Sequence, residues 1–143
     1  PVPAQVVIGA AEKYDAMASS RVALAASGTI ALELAIAGTP MVIAYKANAL
    51  TAWLARRMIR VPYVCLVNLI LERPVVPEFI QQDCRADLLA DAVAGLYDDG
   101  DARAAQITGG RQAAKLLGLG GAPPSGRAAD VVLKVIAEGP RIR

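Results

Sequence analysis

The sequence predicts an α/β unit: a parallel sheet flanked by helices. Three observations carry that expectation. Aliphatic runs without polar alternation recur at 5–8, 22–25, 41–45 and 63–67, the pattern of strands covered on both faces. Helical patterns fall between them, and strand–helix–strand order implies parallel neighbours joined by right-handed crossovers. The 143 residues are 55% apolar but only 4% aromatic and 20% charged, enough aliphatic material for one packed core.

Taken in order, the Val/Ile run at 5–8 is expected as a short buried strand ended by Gly9, and 12–19 as a helix with Glu12 in its first turn. The run at 22–25 is the next strand. Ser27-Gly28-Thr29 breaks it into a helix over 29–37, with Gly38 as C-cap, and 41–45 is the third strand. Leu50, Trp53, Leu54 and Met58 share one stripe of a helix over 49–59, which Pro62 stops. The run at 63–67 is a fourth strand ending at Asn68, and 77–82 a short helical segment with Pro77 in its first turn. Three Ala-rich helices follow over 86–97, 101–117 and 126–137, the last two separated by a mobile Gly/Pro-rich loop at 118–125. The chain opens on Pro1, almost directly on a strand and without a G-x-G-x-x-G turn, so the entry half of a doubly wound domain is expected upstream.

Composition excludes several functions. The longest apolar stretch, 22–45, is cut by Ser27-Gly28, Glu33 and Gly38-Thr39-Pro40 into pieces too short to span a bilayer. A net charge of +2 is too small for a nucleic-acid footprint. The chain has no His, which removes His-based triads, His metal ligands and any His general base from it. Cys65 and Cys84 lack CxxC spacing and read as small buried hydrophobes in a reducing cytoplasm.

The organising stretch is 25–40. A strand that turns through Ser27-Gly28-Thr29 straight into a helix presents free backbone N–H groups at the positive end of the helix dipole, a ready anion site. Ser27 and Thr29 add hydroxyls, Gly28 permits close approach, and Glu33 lies one turn along an otherwise apolar helix, placed to reach a ribose. The bland alternative is ordinary N-capping and a solvated Glu33. In parallel sheets ligands sit beyond the carboxyl ends of the strands, where this turn, the Lys46-Ala47-Asn48 loop and Asn68 are all expected. Downstream, Asn68 offers a partner to a sugar hydroxyl, and Glu78 and Gln81 lie one turn apart on the expected short helix. The structural alternative has Asn68 capping a strand, Arg73 paired with Glu78, and Gln81 on the surface. No pair of carboxylates is placed as general acid and base.

The runs S-G-T, L-E, A-G-T-P-M-V, A-Y-K, A-R-R, V-P-Y-V, N-L, R-P-V-V-P-E and Q-x-D-C occur in register between 27 and 84. In them the chain resembles the lipid-A-disaccharide synthases, GT-B glycosyltransferases of the Gram-negative envelope. The likeness spans roughly residues 5–84. It departs where the family usually reads L-P-N-L/I-L-A-G-R: Val67 replaces the Pro, and Leu71-Glu72 replaces Ala-Gly.

The resemblance implies a Rossmann-like sheet forming the later part of a GT-B C-terminal domain. Residues 1–84 would be its donor-site region and 85–143 its helical C-terminal part. It implies transfer of 2,3-diacylglucosamine from UDP-2,3-diacylglucosamine to 2,3-diacylglucosamine 1-phosphate, with release of UDP and no cofactor or metal. Ser27, Gly28 and Thr29 would hold the diphosphate, Glu33 the ribose, and Asn68, Glu78 and Gln81 the donor side. The catalytic base would lie outside this chain, which alone would be inactive. The acylated substrates imply a cytoplasmic enzyme peripheral to the inner membrane. The 49–60 helix, with Trp53 and Leu54 beside Arg56, Arg57 and Arg60, is a candidate to rest on the anionic surface, core packing being the alternative. A homo-oligomer is compatible and nucleic acid is not implied. Another GT-B UDP-sugar enzyme, a UDP-GlcNAc epimerase and a non-catalytic α/β nucleotide-binding module remain the alternatives.

Overall fold

A strand buried on both faces must sit inside a sheet, and one segment meets that condition. In β2 (Met41–Tyr45), Met41 and Ile43 face one side and Val42 the other, and all three are 2% exposed or less. The computed structural model describes residues 3–48 and 61–139. In it β1 (Ala23–Ala25) and β3 (Glu78–Ile80) flank β2, both parallel to it, in the order β1-β2-β3. Ala23 lies opposite Met41, and Ile43 opposite Glu78, so β3 is displaced towards the carboxyl end of β2.

The helices are α1 (Ala10–Ser19), α2 (Ile30–Ala37), α3 (Leu66–Leu71), α4 (Ala86–Asp98), α5 (Gly100–Leu116) and α6 (Pro124–Glu138). The core lies where Met41 and Ile43 meet Ala31, Leu34 and Ala35 of α2, Val67 of α3 and Ala113 of α5. Glycines set how closely α5 approaches. A Cβ on Gly110 would lie 3.1 Å from the Ala35 Cβ, and one on Gly109 would lie 2.6 Å from the Val75 Cγ1. Gln106, buried on α5, ties that helix to the sheet: its Oε1 accepts from Met41 N (2.9 Å) and its Nε2 donates to Met41 O (3.2 Å). The carbonyls ending α4 are met by guanidinium groups, Arg103 donating to Leu96 O and Tyr97 O, and Arg21 to Tyr97 O.

The helices expected from 12, 29, 86, 101 and 126 all form, with ends within two residues of those read from the sequence. The strand expectations need correction. Residues 5–8 form no strand: Val6 and Ile8 are 84% and 92% exposed, and an apolar run becomes a strand only beside a ladder partner. The 63–67 segment is irregular and then helical. The strand that completes the sheet comes instead from 78–80, where Ile43 N donates to Pro77 O (2.9 Å) and starts the β2–β3 ladder. The helix expected over 77–82 is therefore that strand followed by a 3-10 turn, Gln81–Asp83. The described residues thus hold three strands rather than four, and of the three only β2 is sealed on both faces, since Leu24 in β1 is 55% exposed. Cys65 is buried as expected and Cys84 is half-buried; both are free thiols. The 49–59 helix, with Trp53, Leu54, Arg56, Arg57 and Arg60, lies outside the described residues.

Candidate functional site

Because the three strands are parallel, their carboxyl ends share one edge, and the segments leaving it are 26–29, 46–48 and the turn at Gln81–Asp83. The Ser27-Gly28-Thr29 turn is on that edge, as expected. Gly28 has φ +125°, a conformation side chains rarely adopt, and apart from its own chain neighbours no atom lies within 4 Å of where its Cβ would be. The turn is therefore built for glycine and open above it. Thr29 is the N-cap of α2 with helical φ/ψ, and its side chain caps no N–H. Ser27 does not cap either: its Oγ donates to Val64 O at 3.0 Å. Ordinary side-chain capping is thus absent at this helix start; backbone carbonyls meet its N–H groups instead, Gly28 O accepting from Ala31 N (3.3 Å) and Thr29 O from Leu32 N (3.0 Å) and Glu33 N (3.1 Å).

Glu33 is in the first turn of α2, about 6 Å along the axis from Thr29 at 1.5 Å per residue. Its Oε2 accepts from Lys13 Nζ at 2.6 Å, with the two side chains 28% and 40% exposed. The Lys13 hydrogen bond, outweighing desolvation, holds the Glu33 carboxyl below the ordinary carboxylate value, and the same bond raises Lys13. Glu33 is therefore an ionised, oriented acceptor rather than a loose surface group. The Tyr14 ring lies 4.5 Å from the Lys13 ammonium.

The downstream residues are placed differently from the sequence expectation. Asn68 ends no strand; it is in α3, 1% exposed, with its carboxamide engaged throughout. Oδ1 accepts from Val75 N and Val76 N (2.8 Å each), and Nδ2 donates to Val76 O and Glu78 Oε1 (2.7 Å each). Glu78 opens β3, and its carboxylate accepts from Val64 N (2.8 Å) and Cys65 N (3.0 Å), capping the start of α3 from outside. It does not pair with Arg73, which donates to Gln112 Oε1 (3.1 Å). Gln81 follows β3 with φ +56°; with its carboxamide oriented to suit its neighbours, Nε2 donates to Ala47 O (3.2 Å) and Oε1 accepts from Ala47 N (3.1 Å).

The structure therefore links Ser27, Glu78 and Asn68 through Val64 and Cys65, and ties Gln81 to the loop after β2. Glu33 belongs to a separate pair with α1. Beside Asn68 and Glu78, a cleft of about 410 Å³ is lined by Tyr63, Pro74, Val76 and Asp83. Sequence reasoning missed Lys13. The signal available was its place near the start of a helix, where a cation opposes the helix dipole and calls for a nearby anion.

A parallel sheet with helices against it, and an uncapped helix start at its carboxyl edge, defines an α/β Rossmann-like unit of the kind found in GT-B enzymes. The family model described as lipid-A-disaccharide synthetase matches residues 2–121. Among similar proteins, the lipid-A-disaccharide synthase of Rhodospirillum centenum is 55% identical over 138 residues, covering 96% of this chain and 34% of that protein. That of Paramagnetospirillum magneticum is 49% identical over 140 residues, covering 96% and 36%. The chain belongs to the lipid-A-disaccharide synthetase family. It spans about a third of the length of these curated relatives.

Proposed function

We propose that this chain is the donor-nucleotide part of a glycosyltransferase of lipid A biosynthesis. In the full reaction 2,3-diacylglucosamine passes from UDP-2,3-diacylglucosamine to the 6-hydroxyl of 2,3-diacylglucosamine 1-phosphate, and UDP leaves. The observation that carries the reading is the α2 start: glycine-built, open, capped by neither Ser27 nor Thr29, with the ionised Glu33 one turn away. The open Gly28 turn at the positive end of the α2 dipole, with the Thr29 hydroxyl, suits the charge that develops on the departing diphosphate. Glu33 suits the ribose hydroxyls. Asn68, Glu78 and Gln81 shape the donor-sugar side through the bonds they make to the 64–65, 75–76 and Ala47 backbone. Residues 1–84 form the donor-site region and 85–143 its helical buttress, while the acceptor and its base belong elsewhere in the enzyme. No described helix is long and apolar enough to cross a membrane; acylated substrates are the reason to place the enzyme at the inner membrane surface, and assembly as a homo-oligomer is part of the same reading.

The test is a UDP titration followed by calorimetry and by NMR. Shifts should centre on 27–33, and Glu33→Ala should weaken UDP by about 10–100-fold, the worth of a charge-assisted hydrogen bond, with the circular dichroism unchanged. A folded protein that shows no response to UDP rejects the reading.

A further inference from the structure

We propose that Lys13 sets the ribose selectivity of this nucleotide site, as a positioning residue that acts through Glu33. The inference rests on the UDP reading above and goes a step further, to what makes Glu33 fit for its task. A first-turn glutamate with one face to solvent samples many rotamers, and ordering them on binding costs affinity. Lys13 removes that freedom beforehand. It engages Oε2 at 2.6 Å, and a carboxylate has about four lone-pair sites, so the group stays able to accept from a vicinal diol.

The placement follows from topology. Helix α1 runs back from the carboxyl edge to feed β1, so its start lies at the same edge as the start of α2. The two helices lie side by side: Lys13 bonds Glu33 at the ligand edge, and at the far edge Thr39 Oγ1, two residues past the end of α2, donates to Met17 O of α1 (2.6 Å). The far staple ties α1 to the segment leaving α2 without touching the site. It therefore separates a role in holding α1 to α2 from a role in aiming Glu33.

The experiment measures UDP and 2′-deoxy-UDP affinities by calorimetry in the full natural protein. Variants are Lys13→Met, Lys13→Arg, Glu33→Ala, the Lys13→Met/Glu33→Ala double variant and Thr39→Val. The wild type should favour UDP about tenfold, one hydroxyl held by a charged acceptor. Glu33→Ala should bring the ratio to about one, Lys13→Met to about two or three, and Lys13→Arg should restore it. In the Glu33→Ala background Lys13→Met should add nothing, since two residues acting as one unit are not additive. Three results would overturn the inference: a wild-type ratio in Lys13→Met; an equal loss for both nucleotides that persists without Glu33, which would put Lys13 on the phosphates; or a fall in Thr39→Val matching that of Lys13→Met. A wild type that binds neither nucleotide removes the UDP reading itself. Binding with selectivity lost only in Glu33→Ala keeps that reading and removes the role of Lys13.

Discussion

Glu72 ends α3 with φ 53° and ψ 29°, in the left-handed region, with its N–H turned back to Asn68 O and Leu69 O. This is the C-cap geometry that glycine adopts without a Cβ penalty. The family run that this chain resembles usually has a glycine here. A left-handed conformation costs an ordinary L-residue about 1–2 kcal/mol. Glycine in turn gives the unfolded chain more freedom, worth about 0.5–1 kcal/mol in the opposite direction. Glu72 is exposed, and none of the ion pairs found among the described residues uses its carboxylate, so little is lost with the side chain. Glu72→Gly should therefore stabilise by about 0.5–1 kcal/mol, or roughly 1–4 °C for a chain of this size. The assay is urea unfolding followed by far-ultraviolet circular dichroism, with Glu72→Ala as the reference because alanine keeps the Cβ. In a helix interior alanine is the better residue by about 1 kcal/mol; here the order should invert. A Glu72→Gly protein no more stable than Glu72→Ala would refute the assignment of strain to this position.

Two further outcomes follow from the same structure. Gln106→Leu should destabilise by about 2–3 kcal/mol, because Met41 N–H and C=O would be left buried without partners and the added apolar burial offsets only part of that loss; chemical denaturation measures it. The Lys13–Glu33 pair should show a bounded pH window. The Glu33 carboxyl is held below its ordinary value of 4.5, so its contribution is complete above that value and fades as pH falls through the lower folded value. The Lys13 ammonium is raised above 10.5, so its contribution is complete below that value and fades as pH rises through the higher folded one. The difference in unfolding midpoint between wild type and Lys13→Met should be flat between those limits and narrow outside them; a difference that peaks at either extreme contradicts the pairing.

The parts of the fold legible in the sequence are those where local pattern and burial agree. β2 is the clearest, since Met41, Val42 and Ile43 leave no solvated face and Gly38-Thr39-Pro40 marks its start. The stretch 63–67 has the better apolar pattern yet loses to 78–80. The Glu78 carboxylate takes the N–H groups of Val64 and Cys65, so those two amides serve a helix start instead of a ladder. That preference was invisible because it depends on a residue 13 or 14 positions away. The same holds for Lys13 and Glu33, which are 20 positions apart and meet only because two crossover helices pack side by side.

The polar groups at the carboxyl edge divide by what they already hold. Asn68 makes four hydrogen bonds and Glu78 three, and Gln81 bonds both backbone atoms of Ala47. A ligand that drew on these side chains would have to break bonds fixing three backbone segments, leaving buried N–H groups that cost about 1–3 kcal/mol each. At the α2 start the Ala31, Leu32 and Glu33 N–H groups are held by the Gly28 and Thr29 carbonyls and no side chain caps them, the space over Gly28 is open, and Glu33 has been fixed by a cation rather than used up by one. The proposed recognition of an anionic, diol-bearing ligand therefore rests on 27–33 rather than on these side chains. In that proposal the downstream residues serve by staying as they are, since Glu78 holds the Val64 and Cys65 N–H groups and the Val64 carbonyl accepts from Ser27.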